Sequence, residues 1–359
     1  MIIEVRRDSL TEVRRSVPTD GTLPEGRARL RVDRFGLTTN NVTYAVFGDA
    51  MRYWDFFPVG TGWGCIPVWG FAEVVDSTAD ACAVGERVYG YLPMASELIV
   101  EPGRADARGF TDVVEHRAPM ASAYNCYTRC ATDPGYDAER EAQQMLLYPL
   151  FVTSFVVDDF FSDHDDFGAD VAILSSASSK TAIGIAFLAH RRGLRVCGLT
   201  SARNEAFVTS LGVYDDVVRY DDIADPGGAA VYVDMAGNLD VRRAVHGAYG
   251  DRLGHSMVVG GTHWDHTAAP SDAALPGPAP EFFFAPSQIA KRSTDWGREE
   301  LDRRTAEAWT AYSHWTDAWL EPRGATGADA VVAAYRELLA GDADPRVGYV
   351  CSLPDRIHG

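Results

Sequence analysis

The stretch that most constrains the fold of this 359-residue chain is its middle, where short apolar runs alternate with amphipathic segments. Val171–Leu174 reads as a buried strand. Thr181–Arg192 reads as a helix with basic residues in its last turn, where the macrodipole favours them, and Gly193 follows as a C-cap. Arg195–Gly198 is the next strand and Asn204–Leu211 the next helix, closed by Gly212. Val231–Asp234, Val241–Tyr249 and Met257–Gly260 continue as strand, helix and strand. Alternation on this scale predicts right-handed βαβ units and a parallel sheet. Phe282–Phe284 is a candidate sixth strand. Leu301–Leu320 and Asp329–Ala340 read as helices, and Tyr349–Leu353 as a closing strand.

The first part of the chain has a different grain. Arg27–Val32, Gly70–Val75 and Arg87–Leu92 are short strand-like runs separated by turn signals, which suggests a β-barrel-like domain. The length suits two domains, with expected limits of 1–142 together with 318–359 for one and 143–317 for the other. Glu139–Phe155 reads as a helical entry segment. The acidic run D-D-F-F-S-D-H-D-D-F that follows reads as a solvated loop.

Charge and composition exclude several functions. A formal net charge of -18 offers no basic footprint for nucleic acid. Six scattered cysteines do not form a disulfide scaffold and point to a reducing cytoplasm. The N-terminal MIIEVRRDSLTEVRR lacks the apolar core of a signal peptide. The longest apolar run, Met145–Val157, is broken by Tyr148, Pro149, Thr153 and Ser154, so no membrane span is expected.

The turn after the first middle strand is S-S-A-S-S-K-T-A-I-G, residues 175–184. Dinucleotide-binding turns carry glycines here so that backbone approaches a pyrophosphate. This turn carries small hydroxyls instead, with Gly184 remaining. Ser178, Ser179 and Thr181 are candidate phosphate donors, Lys180 adds a positive charge, and a helix N-terminus supplies free N–H groups. The competing reading is a set of N-caps, for which Ser and Thr are also preferred. After the second strand, G-L-T-S-A-R-N at 198–204 lacks the acid that would meet the ribose 2′-hydroxyl of NAD. Ser201 and Arg203 suit a 2′-phosphate, so NADP(H) is the expected cofactor. Tyr220 joins the candidate cofactor contacts.

At this point the whole chain resembles the medium-chain dehydrogenase/reductase superfamily. I-P-V-W-G-F-A-E-V-V at 66–75 and V-G-E-R-V-Y-G at 84–90 resemble its "PxxxGxExxGxV" and "VGDRV" segments, and L-G-V-Y-D-D-V-V at 211–218 resembles its "LGAD" turn. The resemblance implies an α/β chain with a GroES-like β-barrel domain and a Rossmann domain with a doubly wound parallel sheet. The phosphate loop is similar to the glycine-poor loop of trans-acting enoyl reductases of polyketide synthesis. N-N-V-T-Y at 40–44, V-D-M-A-G-N at 233–238, G-G-T-H-W at 260–264 and F-F-F-A-P-S-Q at 282–288 resemble a branch known as a domain of unknown function. The zinc members' Cys position falls near Asn40–Thr43 with no Cys, and their His-Glu pair falls in Gly70–Glu73 with no His. Cys126 and Cys130 form a lone C-x3-C pair where a structural zinc lobe has four thiolates. A zinc-free member is therefore implied. His263 and His266 with Asp265 lack a third convergent ligand and read better as a loop or cofactor contact.

Without zinc, a reductase needs a proton donor near the hydride acceptor. In zinc-free enoyl reductases of the superfamily a Tyr from the early loop often serves, which makes Tyr53 and Tyr44 candidates. Phe47, Trp54, Phe56 and Phe57 equally make this an aromatic packing stretch. Asn41, with Asn40, matches the superfamily's loop Asn near the nicotinamide ribose, or is a turn residue. Gly260, Thr262 and His263 follow the fifth strand, at the end where open α/β sheets bind ligands, and His263 titrates near neutrality. Lys291 and Arg292 either meet an anionic substrate or form a solvated helix start.

Three function classes stay open. The first is an NADPH-dependent reductase of an activated C=C bond, such as an enoyl thioester or enone, or of a carbonyl. The second is a non-redox lyase or thioester-cleaving enzyme on the same fold, suggested by Lys180 where glycine is usual. The third is a non-catalytic binding protein. The expected partners are a small-molecule or carrier-thioester substrate, with no nucleic acid or membrane. Homodimers are common in the superfamily.

Overall fold

The computed structural model describes residues 1–17, 21–224, 227–259, 275–341 and 343–353. It divides into two units, Met1–Leu146 with Leu320–Gly359, and Leu147–Trp319.

The chain opens with an antiparallel hairpin, β1 (Ile2–Arg6) and β2 (Ser9–Ser16). There follow β3 (Ala28–Leu37), α1 (Thr39–Val46), β4 (Trp63–Gly64), β5 (Pro67–Ser77), β6 (Arg87–Pro93), β7 (Glu97–Val100), β8 (Pro102–Asp106), β9 (Gly109–Asp112) and β10 (Cys126–Arg129). β4 extends the hairpin into a three-stranded sheet. β3 is the spine of the larger sheet. It pairs antiparallel with β5 along most of its length and with β7 over its first residues. Beyond β5 the order runs through β6, β10, β9 and β8. Outward and inward positions alternate at Leu30, Arg31 and Val32, as one buried sheet face requires. Phe35, Trp54, Phe71, Tyr91 and Tyr127 fill the interior.

Helix α2 (Glu141–Asp163) leads into the second unit. Its first residue is a buried carboxylate held by Arg34 at 2.5 Å and Arg87 at 2.7 Å. Then come β11 (Val171–Leu174), α3 (Lys180–Arg191), β12 (Arg195–Thr200), α4 (Glu205–Ser210), β13 (Asp216–Arg219), β14 (Ala230–Asp234), α5 (Leu239–Tyr249), β15 (Leu253–Val258), β16 (Glu281–Phe282), α6 (Ala285–Asp295) and α7 (Arg298–Trp315). The strands are all parallel, in the order β13-β12-β11-β14-β15-β16. That is the doubly wound order 3-2-1-4-5-6, whose ligand crevice lies at the carboxyl ends of the strands. Helix α3 sits close to α2 because Gly184 has no side chain; a Cβ there would stand 2.5 Å from Ser154 Oγ.

The acidic run after Phe155 is not a solvated loop. It stays helical to Asp163, because its carboxylates find cations. Asp158 pairs with Arg192, Asp159 with Arg292, and Asp163 with Lys291 and Arg292. Lys291 and Arg292 are thereby committed to α2. The longer helix also has the length and apolar content of a membrane-crossing segment. Its Phe151 stacks on Tyr312 of α7 at 4.8 Å. The chain then leaves α2 through a left-handed turn: Asp165, Asp166, Phe167 and Gly168 have φ of 50, 50, 53 and 70°. Arg192 holds both Asp166 oxygens at 2.5–2.6 Å. Phe167 lies between the rings of His164 and His255 at 5.0 and 4.5 Å.

The chain returns to the first unit through β17 (Glu321–Thr326), α8 (Ala328–Ala340) and β18 (Val347–Ser352). β18 lies between β17, parallel, and the end of β3, antiparallel.

Candidate functional site

Two groups of residues are candidates for a functional site, one in each unit. In the parallel sheet, β11 ends in the turn Ser175–Ser179. Ser175 is fully buried and ties the turn down: its hydroxyl bonds Asp234 Oδ1 at 3.1 Å and accepts from the amides of Met235 and Ala236. Asp234, at the end of β14, also accepts from the amide of Gly237 and pairs with Arg242 at 2.8 Å. The ends of β11 and β14, the switch point of the sheet, are thus locked together.

Ser176 adopts a left-handed φ of 51°, the conformation for which glycine is the usual residue. Its amide donates to the Tyr220 hydroxyl at 3.0 Å. Tyr220 follows β13, so three strand ends converge on this turn. Ser178 Oγ accepts from Asn204 Nδ2 at 3.0 Å. Ser179 is the N-cap of α3 and accepts from the Ala182 amide, so its hydroxyl serves the helix cap. The amides of Ser178 and Thr181 have no acceptor among the described residues, and they sit at the positive end of the α3 dipole. Lys180 is the first residue of α3 and is half-buried. Thr181 is buried, and its carbonyl accepts from Ser154.

At the end of β12, Thr200 Oγ1 is buried with no hydrogen-bond partner among the described residues. Ser201 is half-buried beside it and Arg203 is exposed. Thr200, Ser201, Arg203 and Asn204 form one rim with Ser178, and no carboxylate stands at the end of β12 itself. Chemically, this rim suits an anion with several oxygens. Gly260, Thr262 and His263 lie outside the described residues.

In the first unit, Tyr44 and Tyr53 belong to a larger aromatic cluster. Their ring centroids are 4.6 Å apart. Tyr91 and Tyr124 pack 4.7 Å apart, and Trp69 lies 5.0 Å from Tyr91. Trp69 Nε1 donates to the Tyr44 hydroxyl at 3.4 Å. The Tyr91 hydroxyl is buried and has no partner among the described residues. Burial, reinforced by the neighbouring Tyr44, pushes Tyr53 up to about 12, although a hydrogen bond from Tyr124 works the other way. Burial pushes Tyr44 well above the ordinary range, with Tyr124 adding to it. Both phenols therefore keep their protons at neutral pH. Asn41 is used structurally at both ends of its amide: Oδ1 accepts from the Thr38 amide at 2.8 Å in a capping box, and Nδ2 donates to the Pro67 carbonyl at 3.0 Å. Residue-by-residue reading did not single out Tyr91, Tyr124 or Trp69. Trp69 and Tyr91 lie in the aromatic-rich runs of β5 and β6, whereas Tyr124 stands in a short turn before β10 with no such signal around it.

Among the described residues no group of three or more His, Cys, Asp and Glu is placed to hold a metal ion.

The fold pairs a GroES-like unit with a Rossmann unit. The chain is similar to CurA from Vibrio vulnificus, solved in complex with NADPH, at TM-score 0.59 and 13% identity over 96% of this chain and 94% of that one. It is similar to the CurK enoyl reductase, at TM-score 0.57 and 13% identity over 98% of this chain and 99% of that one. It is also similar to the CurF ER cyclopropanase of the curacin A biosynthetic pathway, at TM-score 0.57 and 11% identity over 98% and 99% of the two chains. No curated protein matches the sequence. Residues 35–344 match the family described as protein of unknown function DUF2855, and the chain belongs to that family.

Proposed function

We propose that this chain is an NADPH-dependent, zinc-free reductase that acts on an activated C=C bond or a carbonyl, with an enoyl thioester or enone as the preferred class. The observation that carries this reading is the rim at the ends of β11 and β12. Two amides without acceptors at the start of α3, an orphaned Thr200 hydroxyl, and Ser201 and Arg203 in place of an acid fit a dinucleotide bearing a 2′-phosphate. The Ser178 and Thr181 amides and Lys180 would hold the pyrophosphate. Ser201 and Arg203 would hold the 2′-phosphate, and Tyr220 supports the loop through Ser176. The solved CurA complex with NADPH supports the same choice of nucleotide.

When bound, the reduced nicotinamide supplies the hydride. The chain's part is to supply the proton. Tyr53, held protonated by burial and with Tyr124 beside it, is the assigned donor, with Tyr44 behind it. The cluster is built of phenols, phenyl rings and an indole, which suits a neutral conjugated acceptor.

The test is titration of the purified chain with NADPH and NADH, followed by tryptophan fluorescence quenching and calorimetry. NADPH should bind at least about tenfold more tightly than NADH, a difference near 1.4 kcal/mol, and Arg203→Ala should abolish most of that difference. Equal affinity for the two nucleotides would overturn the NADPH assignment, and binding of neither would overturn the redox reading. Substrate loss without NADPH oxidation, on a panel of enoyl thioesters, enones and aldehydes, would favour non-redox chemistry on this fold.

A further inference from the structure

In the first unit, β2 and α8 line a groove of about 380 Å³. Val13 and Val332 give it an apolar floor, and Arg14, Arg15 and Arg336 stand on its rim. Helix α8 is fixed against the hairpin by a hydrogen bond from the Tyr335 hydroxyl to the Leu10 carbonyl at 2.9 Å.

The three arginines are held differently. Arg14 is fixed from two sides: Nε donates to Glu4 Oε2 at 2.8 Å, and its guanidinium lies 4.2 Å from the centroid of the Trp63 ring. Glu4 is itself buried behind it. Arg15 pairs across the groove with Asp329, in the first turn of α8. Arg336 is exposed and has no hydrogen-bond or ion-pair partner among the described residues. Three cations and one carboxylate, Asp329, thus line the groove, in a chain whose formal net charge is -18. Guanidinium pairs well with carboxylate and phosphate because its planar fork matches two oxygens. The volume exceeds that of a bare inorganic ion and lies in the range of small-molecule sites, about 300–1,000 Å³.

We infer that this groove binds a small amphipathic oxyanion, a carboxylate or phosphate monoester carried on a short apolar group. Arg336 is its main partner. Arg14 and Arg15 flank the anion, and Val13 and Val332 receive the apolar part.

The test uses the full-length chain, deuterated and labelled with nitrogen-15, with arginine Nε–H correlations as the readout. Phenyl phosphate, benzoate and inorganic phosphate are titrated in parallel. Phenyl phosphate or benzoate should give saturable shifts at Arg14, Arg15 and Arg336, with Kd of about 1 mM or below, and the two probes distinguish the anion types. Inorganic phosphate should bind at least about fivefold more weakly, having nothing for the apolar floor. Arg336→Ala should weaken binding about tenfold with an unchanged circular dichroism spectrum, and Arg336→Lys should restore part of it. Three outcomes would overturn the proposal. They are shifts that do not saturate and match those of exposed Arg104, binding that survives Arg336→Ala, and shifts confined to Arg203.

Discussion

Ser176 is a residue whose conformation and identity disagree. A non-glycine residue at positive φ costs roughly 1–2 kcal/mol, and the turn is fixed chiefly by its amide, which donates to Tyr220, with a lesser contact from its side chain to the same phenol. Ser176→Gly should therefore stabilise the chain by about 0.5–1 kcal/mol, part of the gain being offset by the greater freedom of glycine in the unfolded state. Urea unfolding would show this as a higher midpoint at unchanged slope, and a lower midpoint would mean that the serine side chain holds the turn. Tyr53 can be followed directly. Its phenol, pushed up to about 12, should stay unionised through pH 11, when exposed tyrosines have titrated. In absorbance at 295 nm, Tyr53→Phe should remove one late-titrating phenol. In turnover with NADPH and an enoyl acceptor, the same change should lower the rate by about 10²-fold or more, the usual worth of a positioned proton donor.

At the scale of elements, the α2–α3 contact depends on Gly184. Gly184→Ala places a methyl 2.5 Å from Ser154 Oγ and 2.9 Å from its Cβ, an overpacking expected to cost about 1–3 kcal/mol. Ser154→Gly in the same chain should recover part of that loss. Full stability in Gly184→Ala alone, by thermal unfolding, would show that the helices can separate at no cost. The carboxyl end of α2 responds to pH instead. Burial pushes Asp158 up to about 6, against the pull of Arg192, whereas an ordinary carboxyl in the unfolded chain sits near 3.8. Between these values the folded chain holds a proton that the unfolded chain has released. The resulting stabilisation is complete below about pH 4 and is lost as pH rises through 6. Asp158→Asn should flatten the stability profile in that window, a change on the order of 1–3 kcal/mol, measured by urea unfolding from pH 4 to 7.

For the molecule as a whole, the legibility of the sequence followed the chemistry of burial. β11 is V-A-I-L with every residue buried, and strands covered on both faces read as unbroken apolar runs. The Rossmann unit was therefore legible almost element by element. The β1–β2 hairpin was not, because Arg6, Arg7, Arg14 and Arg15 break its pattern while Trp63, Glu4 and Asp329 accommodate them in space. The turn after β11 was legible as a run of hydroxyls and a lysine. That Ser179 caps α3 and that Tyr220 supports Ser176 required coordinates, since those partners come from different strands. Tyr91 and Tyr124 join Tyr44 and Tyr53 only after the larger sheet has formed. The net charge of -18 has its own consequence: self-repulsion should make 0.3 M sodium chloride, where the Debye length is about 5–6 Å, raise the melting temperature. Exposed ion pairs lose too little on screening to reverse this, and a fall would show that they dominate. The place of β18 bears on how the chain is made. It fills the position between β17 and β3, so the larger sheet of the first unit is incomplete beside β3 until Val347–Ser352 has left the ribosome. The second unit, continuous from Leu147 to Trp319, has every strand of its sheet much earlier. During synthesis the later-encoded unit should finish folding first, while the opening strands wait with the edge of β3 uncovered, the stage at which this chain most needs a chaperone.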